Sequence, residues 1–161
     1  MSDHHVLIPL ASPDATCTLA QGLAPRLRPG DTVLLSGGVG AGKTHFARCL
    51  IQSLLITPED VPSPTYTLVQ TYPGRTADIW HADLYRLSDA IELVELGLTE
   101  AFSDAICLIE WPDRLGDLTP IDALWLHFDP LTDPGAEDRR LLRLTWQDDR
   151  WGQRLKGLLN D

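Results

Sequence analysis

Residues 37–44 read Gly-Gly-Val-Gly-Ala-Gly-Lys-Thr: a glycine, four residues, then Gly-Lys-Thr. This spacing suits a loop that wraps a polyphosphate. Successive amide N–H groups can turn inward only where positive φ is tolerated and no Cβ blocks the approach, hence the glycines. The N-terminus of a following helix adds partial positive charge. Lys43 is then placed to reach the β- and γ-phosphates, and the Thr44 hydroxyl to ligate Mg²⁺. At average residue frequencies such a match arises by chance in about 1% of chains this long. A bare glycine-rich turn would not need a strand before it and a helix after it. Here Thr32–Ser36 is a short apolar run, and Phe46, Ala47, Leu50, Ile51 and Leu54 form a helical stripe over 43–55. The loop therefore reads as a site for ATP with Mg²⁺, its nucleotide-binding residues being Gly38, Val39, Gly40, Ala41, Gly42, Lys43, Thr44 and His45.

Two other motifs fail. Leu35–Val39, LSGGV, imitates the signature of transporter ATPases but overlaps the phosphate loop. Guanine reading of the NKxD type needs an internal asparagine, and the only asparagine is Asn160.

A phosphate loop also needs a carboxylate at the end of a neighbouring strand, to hold the metal or orient an attacking water. Asp83 ends ADIWHAD and Glu110 ends AICLIE, each after a β-like stretch. At least one of the two is expected to serve the site. His81 shares a face with Asp83 if that stretch is a strand.

The elements that must position these groups alternate as in an α/β fold. A strand is expected over 5–10. Ser12-Pro13-Asp14 opens a helix to about Leu27. Pro29-Gly30-Asp31 turns, the strand–loop–helix unit follows, and 57–64 with three prolines is loop. Tyr66–Tyr72 and Ala77–Leu84 read as a hairpin. Ser88 is expected to cap a helix ending near Gly97. Ala105–Ile109 is a buried strand ended by Trp111-Pro112, Ala123–Phe128 and Leu141–Trp146 pair, and a helix starts near Asp148.

The 161 residues suit one domain spanning 1–161. The formal charge of −10 argues against a direct electrostatic grip on nucleic acid. No apolar run approaches the roughly 20 residues of a membrane span. The start, MSDHHVLIPL, lacks a basic region and a cleavage site, so no signal peptide is expected. Three cysteines without CxxC spacing are expected to be reduced core residues of a cytoplasmic protein.

In order along the chain, GAGKT, SPTYTLVQTY, HADLYRL, ELGLTEAF and CLIEWPDRL resemble the TsaE family, the P-loop ATPases of bacterial tRNA threonylcarbamoyladenosine synthesis. The resemblance implies a three-layer P-loop NTPase-like fold with parallel core strands flanked by antiparallel ones. It implies that Lys43 binds phosphates, that Thr44 and Glu110 hold Mg²⁺, and that Asp83 orients or deprotonates the attacking water. Ser63, Pro64 and Thr65 would form a switch-like loop at the γ-phosphate, with Thr65 as the polar contact. Trp111 would shape the site. The implied partners are TsaB and TsaD, with tRNA engaged indirectly through that complex.

Three positions depart from the family pattern: Gly38 where an acid is common, His45 where a second threonine is common, and Ala82 in place of phenylalanine. None removes Lys43, Thr44, Asp83 or Glu110. Two further readings compete: a metabolite kinase, although Arg139, Arg140 and Arg143 read as a strand start and not as a lid, and a nucleotide-gated module with negligible turnover.

Overall fold

The computed structural model describes residues 4–38, 42–62, 64, 68–130 and 139–158. The chain opens with strand β1 (His4–Leu10). Ser12 then caps helix α1 (Pro13–Leu23): its hydroxyl accepts the Ala15 N–H at 3.2 Å, and Pro13 takes the first helical position. The α-helix stops short of Leu27. A 3₁₀ turn over Ala24–Arg26 replaces its last turn, because Pro25 has no N–H to continue the ladder.

Strand β2 (Thr32–Gly37) is buried from Thr32 to Leu35, as befits a central strand. Helix α2 (Lys43–Leu54) begins after Gly42, whose φ of 102° is a conformation that glycine adopts without penalty. Its stripe of Phe46, Ala47, Leu50, Ile51 and Leu54 is buried. Strands β3 (Val69–Tyr72) and β4 (Ile79–Asp83) pair antiparallel, as the hairpin reading expects. The strand start expected at Tyr66 lies outside the described residues.

Helix α3 (Ile91–Glu95) corrects the sequence reading, since its N-cap is Ala90 and not Ser88. Asp89 makes the local bond instead, accepting the Ile91 N–H at 3.0 Å. Gly97, with φ of 87°, ends that turn and starts helix α4 (Leu98–Asp104), which the sequence reading missed. Strand β5 (Ile106–Glu110) is wholly buried and gives way to a 3₁₀ segment, Pro112–Leu118. Strands β6 (Leu124–Pro130) and β7 (Arg140–Trp146) pair antiparallel, and α5 (Arg150–Arg154) follows.

The sheet order is β1-β7-β6-β2-β5-β4-β3. Strands β6, β2, β5 and β4 are mutually parallel, β7 and β3 run antiparallel to them on either side, and β1 pairs antiparallel with β7 at the edge. This is the flanked parallel core that the sequence led us to expect. Each face of the sheet carries its own apolar core. One is built with α1 and α2 through residues such as Leu23, Phe46, Leu50, Leu126 and Leu144. The other is built with α3, α4 and the 3₁₀ segment through Leu34, Leu93, Leu98, Ile109 and Leu115. Among the described residues no helix is long and apolar enough to cross a membrane.

The cysteine expectation needs correcting. Cys17 on α1 and Cys49 on α2 form a disulfide, with Cα atoms 5.3 Å apart; only Cys107 is a free, buried thiol. The two helices pack side by side, which brings together cysteines 32 residues apart in sequence.

Candidate functional site

Parallel strands deliver their carboxyl ends to one edge of the sheet, and in open α/β sheets ligands sit in the crevice outside those ends. Here β2 leads into the glycine loop, and β5 and β4 end beside it on Glu110 and Asp83. The register sets Leu35 against Glu110 and Glu110 against Asp83. Three chain segments far apart in sequence thus place the loop and both acids together. Val39, Gly40, Ala41, Ser63 and Thr65 lie outside the described residues.

Thr44, in the first turn of α2, donates its hydroxyl to Glu110 Oε1 at 2.7 Å. Glu110 is 1% exposed, and its other oxygen lies 2.7 Å from His81 Nε2, a contact no motif announced. Asp83 is 6% exposed, and its Oδ1 accepts the Tyr85 N–H at 3.0 Å. Lys43 is nearly buried; its ammonium donates to Gly37 O at 2.6 Å and lies over the Trp111 ring. Burial holds the lysine below its ordinary value of 10.5, opposed by the negative charges of Glu110, Asp83 and Asp113.

Two bulky residues carry positive φ, Leu68 at 64° and Trp111 at 58°, the only non-glycines among the described residues to do so. Such conformations cost about 1–3 kcal/mol each and persist where the surroundings over-determine them. Both adjoin the acids. The Asp83 N–H donates to Leu68 O at 2.9 Å, and Trp111 follows Glu110 directly. The chain is bent tightly on both sides of the carboxylates.

The donor set fits Mg²⁺. A hydroxyl and a carboxylate are hard oxygen ligands, and this ion is commonly bound by one or two carboxylates together with substrate phosphates. Among the described residues no three His, Cys, Asp or Glu side chains form a metal cage of their own. A cation held by Thr44 and Glu110 would need further oxygens from a bound molecule or from water. A cavity of about 260 Å³, lined by Ser36, Gly37, Gly38, Trp111, Pro112 and Asp113, opens beside the loop.

Among the described residues no atom lies within 4 Å of a Cβ added at Gly38. His45 is turned toward α1: its Nε2 lies 3.0 Å from Pro13 O and 3.9 Å from Cys49 Sγ. Arg140 and Arg143 are strand residues of β7. A larger cavity, about 840 Å³, is lined from β1, β6 and β7 by residues including His127, Trp125 and Trp146, and shares no lining residue with the cavity beside the loop.

Comparison with known proteins bears on the family and the fold. The family model for "Threonylcarbamoyl adenosine biosynthesis protein TsaE" matches residues 10–140. The chain is 38% identical over 136 residues to the tRNA threonylcarbamoyladenosine biosynthesis protein TsaE of Rickettsia bellii, covering 84% of this chain and 92% of that one. It is 36% identical over 114 residues to the protein of the same name from Bacillus subtilis, 70% of each chain. The crystal structure of Bacillus subtilis YdiB superposes with a TM-score of 0.79 at 24% identity, covering 98% of this chain and 96% of that one, a likeness of fold.

Proposed function

This chain belongs to the TsaE family, and from that premise we propose that it is a Mg²⁺-dependent ATPase serving formation of the threonylcarbamoyl modification at adenosine 37 of tRNA. The observation that carries the reading is the 2.7 Å bond from Thr44 to Glu110. It joins the lysine–threonine end of the phosphate loop to a buried carboxylate on the neighbouring strand.

In this reading the amides of the loop and the start of α2 bind the phosphates. Lys43 contributes positive charge at the β- and γ-phosphates, and Thr44 and Glu110 supply oxygens to the metal. Bound Mg²⁺ neutralises charge that develops on the transferring phosphoryl group. Asp83, next to Glu110 in register, orients the attacking water and accepts its proton. Thr65, with Ser63 and Pro64, supplies the polar contact to the γ-phosphate that the family resemblance implies. Trp111 packs against Lys43 and Tyr85 and limits access of water.

The protein acts on a TsaB–TsaD complex, and through it on tRNA, without gripping RNA itself; a net charge of −10 favours such a division of labour. In this reading the protein acts in the cytoplasm, where the substrate tRNA is modified. The test is reconstitution with TsaB, TsaD, substrate tRNA and the threonylcarbamoyl donor. Sustained modification and ATP consumption should both require this chain, and modification proceeding equally well without it would defeat the reading.

A further inference from the structure

Glu110 is anchored at both oxygens. Oε1 accepts the Thr44 hydroxyl and Oε2 meets His81 Nε2, each at 2.7 Å. His81 is 0% exposed, set on β4 two residues before Asp83 and paired in register with Leu108. An ionised carboxylate can only accept, so Nε2 carries the hydrogen and donates it. The other ring nitrogen, Nδ1, has no partner among the described residues. The one hydrogen bond this ring makes is thus directed at a single oxygen of Glu110. An apolar side chain would fill the same space without leaving Nδ1 unpaired, so the ring's presence is explained by what it does to the acid.

We propose that His81 is a positioning residue for Glu110: by fixing Oε2 it turns Oε1 toward Thr44 and the phosphate loop, and so presets the carboxylate for a divalent cation. This rests on Glu110 being the metal-binding acid proposed above. An unanchored glutamate must give up rotamer freedom when it takes up a metal; one held from behind has already done so. Partners that hold a metal-binding carboxylate from behind are typically worth about 10- to 100-fold in metal affinity.

The test compares two amides of different reach. His81→Gln can place an N–H near the position of Nε2, whereas His81→Asn is one carbon too short. The readout is the Mg²⁺ concentration that half-saturates the magnesium-dependent increase in ATP affinity, followed by calorimetry. Affinity for ADP without metal serves as the control. We expect His81→Asn to raise the half-saturating Mg²⁺ about tenfold or more, His81→Gln to stay within about threefold of wild type, and metal-free ADP binding to be unmoved in both. Equal Mg²⁺ requirements in the two variants would overturn the positioning role alone. A wild-type chain with no magnesium dependence would overturn both this role and the metal reading of Glu110.

A second measurement covers a variant that does not fold. In the wild-type protein the His81 Nε2 proton should appear as a protected, downfield imidazole resonance that moves upfield in Glu110→Gln. Its absence, or its indifference to that substitution, would also overturn the proposal.

Discussion

The Lys43 ammonium lies 3.5 Å from the centroid of the Trp111 ring while donating to Gly37 O at 2.6 Å. The lysine of the phosphate loop is therefore held between its own loop and the residue that follows Glu110. A cation over an indole face gains about 0.5–2 kcal/mol, more when desolvated. That is modest beside what a polyphosphate offers the same charge, so under the proposed function a bound nucleotide would displace this contact.

Lys43→Ala should abolish measurable ATP binding and leave the fold intact. Losing a charge-assisted bond to phosphate costs about 3 kcal/mol, roughly a hundredfold in affinity. Stability should not fall, because burial disfavours this ammonium in the folded chain and alanine suits the start of a helix. Calorimetry with Mg·ATP and a thermal melt check both halves, and wild-type affinity in the variant would refute the assigned role.

The two acids should separate by kinetic signature. Glu110→Gln removes the charge of a metal ligand, so Mg²⁺-dependent binding should weaken by about tenfold or more. Asp83→Asn should bind ATP nearly as wild type and turn it over at least about a hundredfold more slowly, as expected for an interaction made mainly in the transition state. The opposite pattern, binding lost in Asp83→Asn and kept in Glu110→Gln, would mean the roles are exchanged.

How much of this was legible in the sequence follows from how local each signal is. The phosphate loop is eight consecutive residues, and the apolar runs 32–36 and 105–109 announce central strands. Asp83 and Glu110 were visible as strand-end acids. Their adjacency was not, since it depends on β4 and β5 pairing in parallel. The Thr44–Glu110 bond spans 66 residues, and the His81–Glu110 contact showed only as a histidine sharing a face with Asp83. Helix α4 is seven residues long, with no side-chain cap to mark its start. Nothing in the spacing of Cys17 and Cys49 shows that α1 and α2 lie side by side.

Thiol counting checks the bridge. Without reductant, the native chain should resist alkylation, because Cys107 is buried and burial, with Asp104 nearby, pushes its thiol up to about 12. Denaturation alone should expose one thiol, and denaturation with reductant three. Reduction, or Cys17→Ser, should destabilise by about 3–4 kcal/mol in the chain-entropy picture for a loop of this size. Melting temperatures unchanged by reductant would show that the bridge contributes nothing.

His127 supplies a pH dependence. Burial first, and Arg143 second, hold it below its ordinary 6.5, with Asp129 opposing. The unfolded chain then binds a proton near 6.5 that the folded chain refuses, so this group's stabilisation is present above that value and lost as pH falls through the folded one. His127→Gln should accordingly lose less stability than wild type between about pH 7.5 and pH 5. Denaturant midpoints across that range decide it; parallel profiles in the two proteins would remove His127 from the account.

The partner dependence tests the family-derived function most directly. Lys43 supplies one positive charge at the phosphate loop, and Arg140 and Arg143 belong to strand β7, where they do not line the cavity beside that loop. In other P-loop systems a positive group supplied in trans to the transition state is worth a thousandfold or more. We therefore expect slow turnover by the isolated chain, raised strongly when TsaB and TsaD are both present. Their association should favour the ATP state over the ADP state, because the role proposed for Thr65 at the γ-phosphate makes what a partner meets depend on which nucleotide is bound. Turnover assays over every combination of partners, with size-exclusion runs in ATP and ADP, measure both effects. Fast turnover alone, indifferent to the partners and diverted to a metabolite hydroxyl, would identify a small-molecule kinase and overturn the function proposed here.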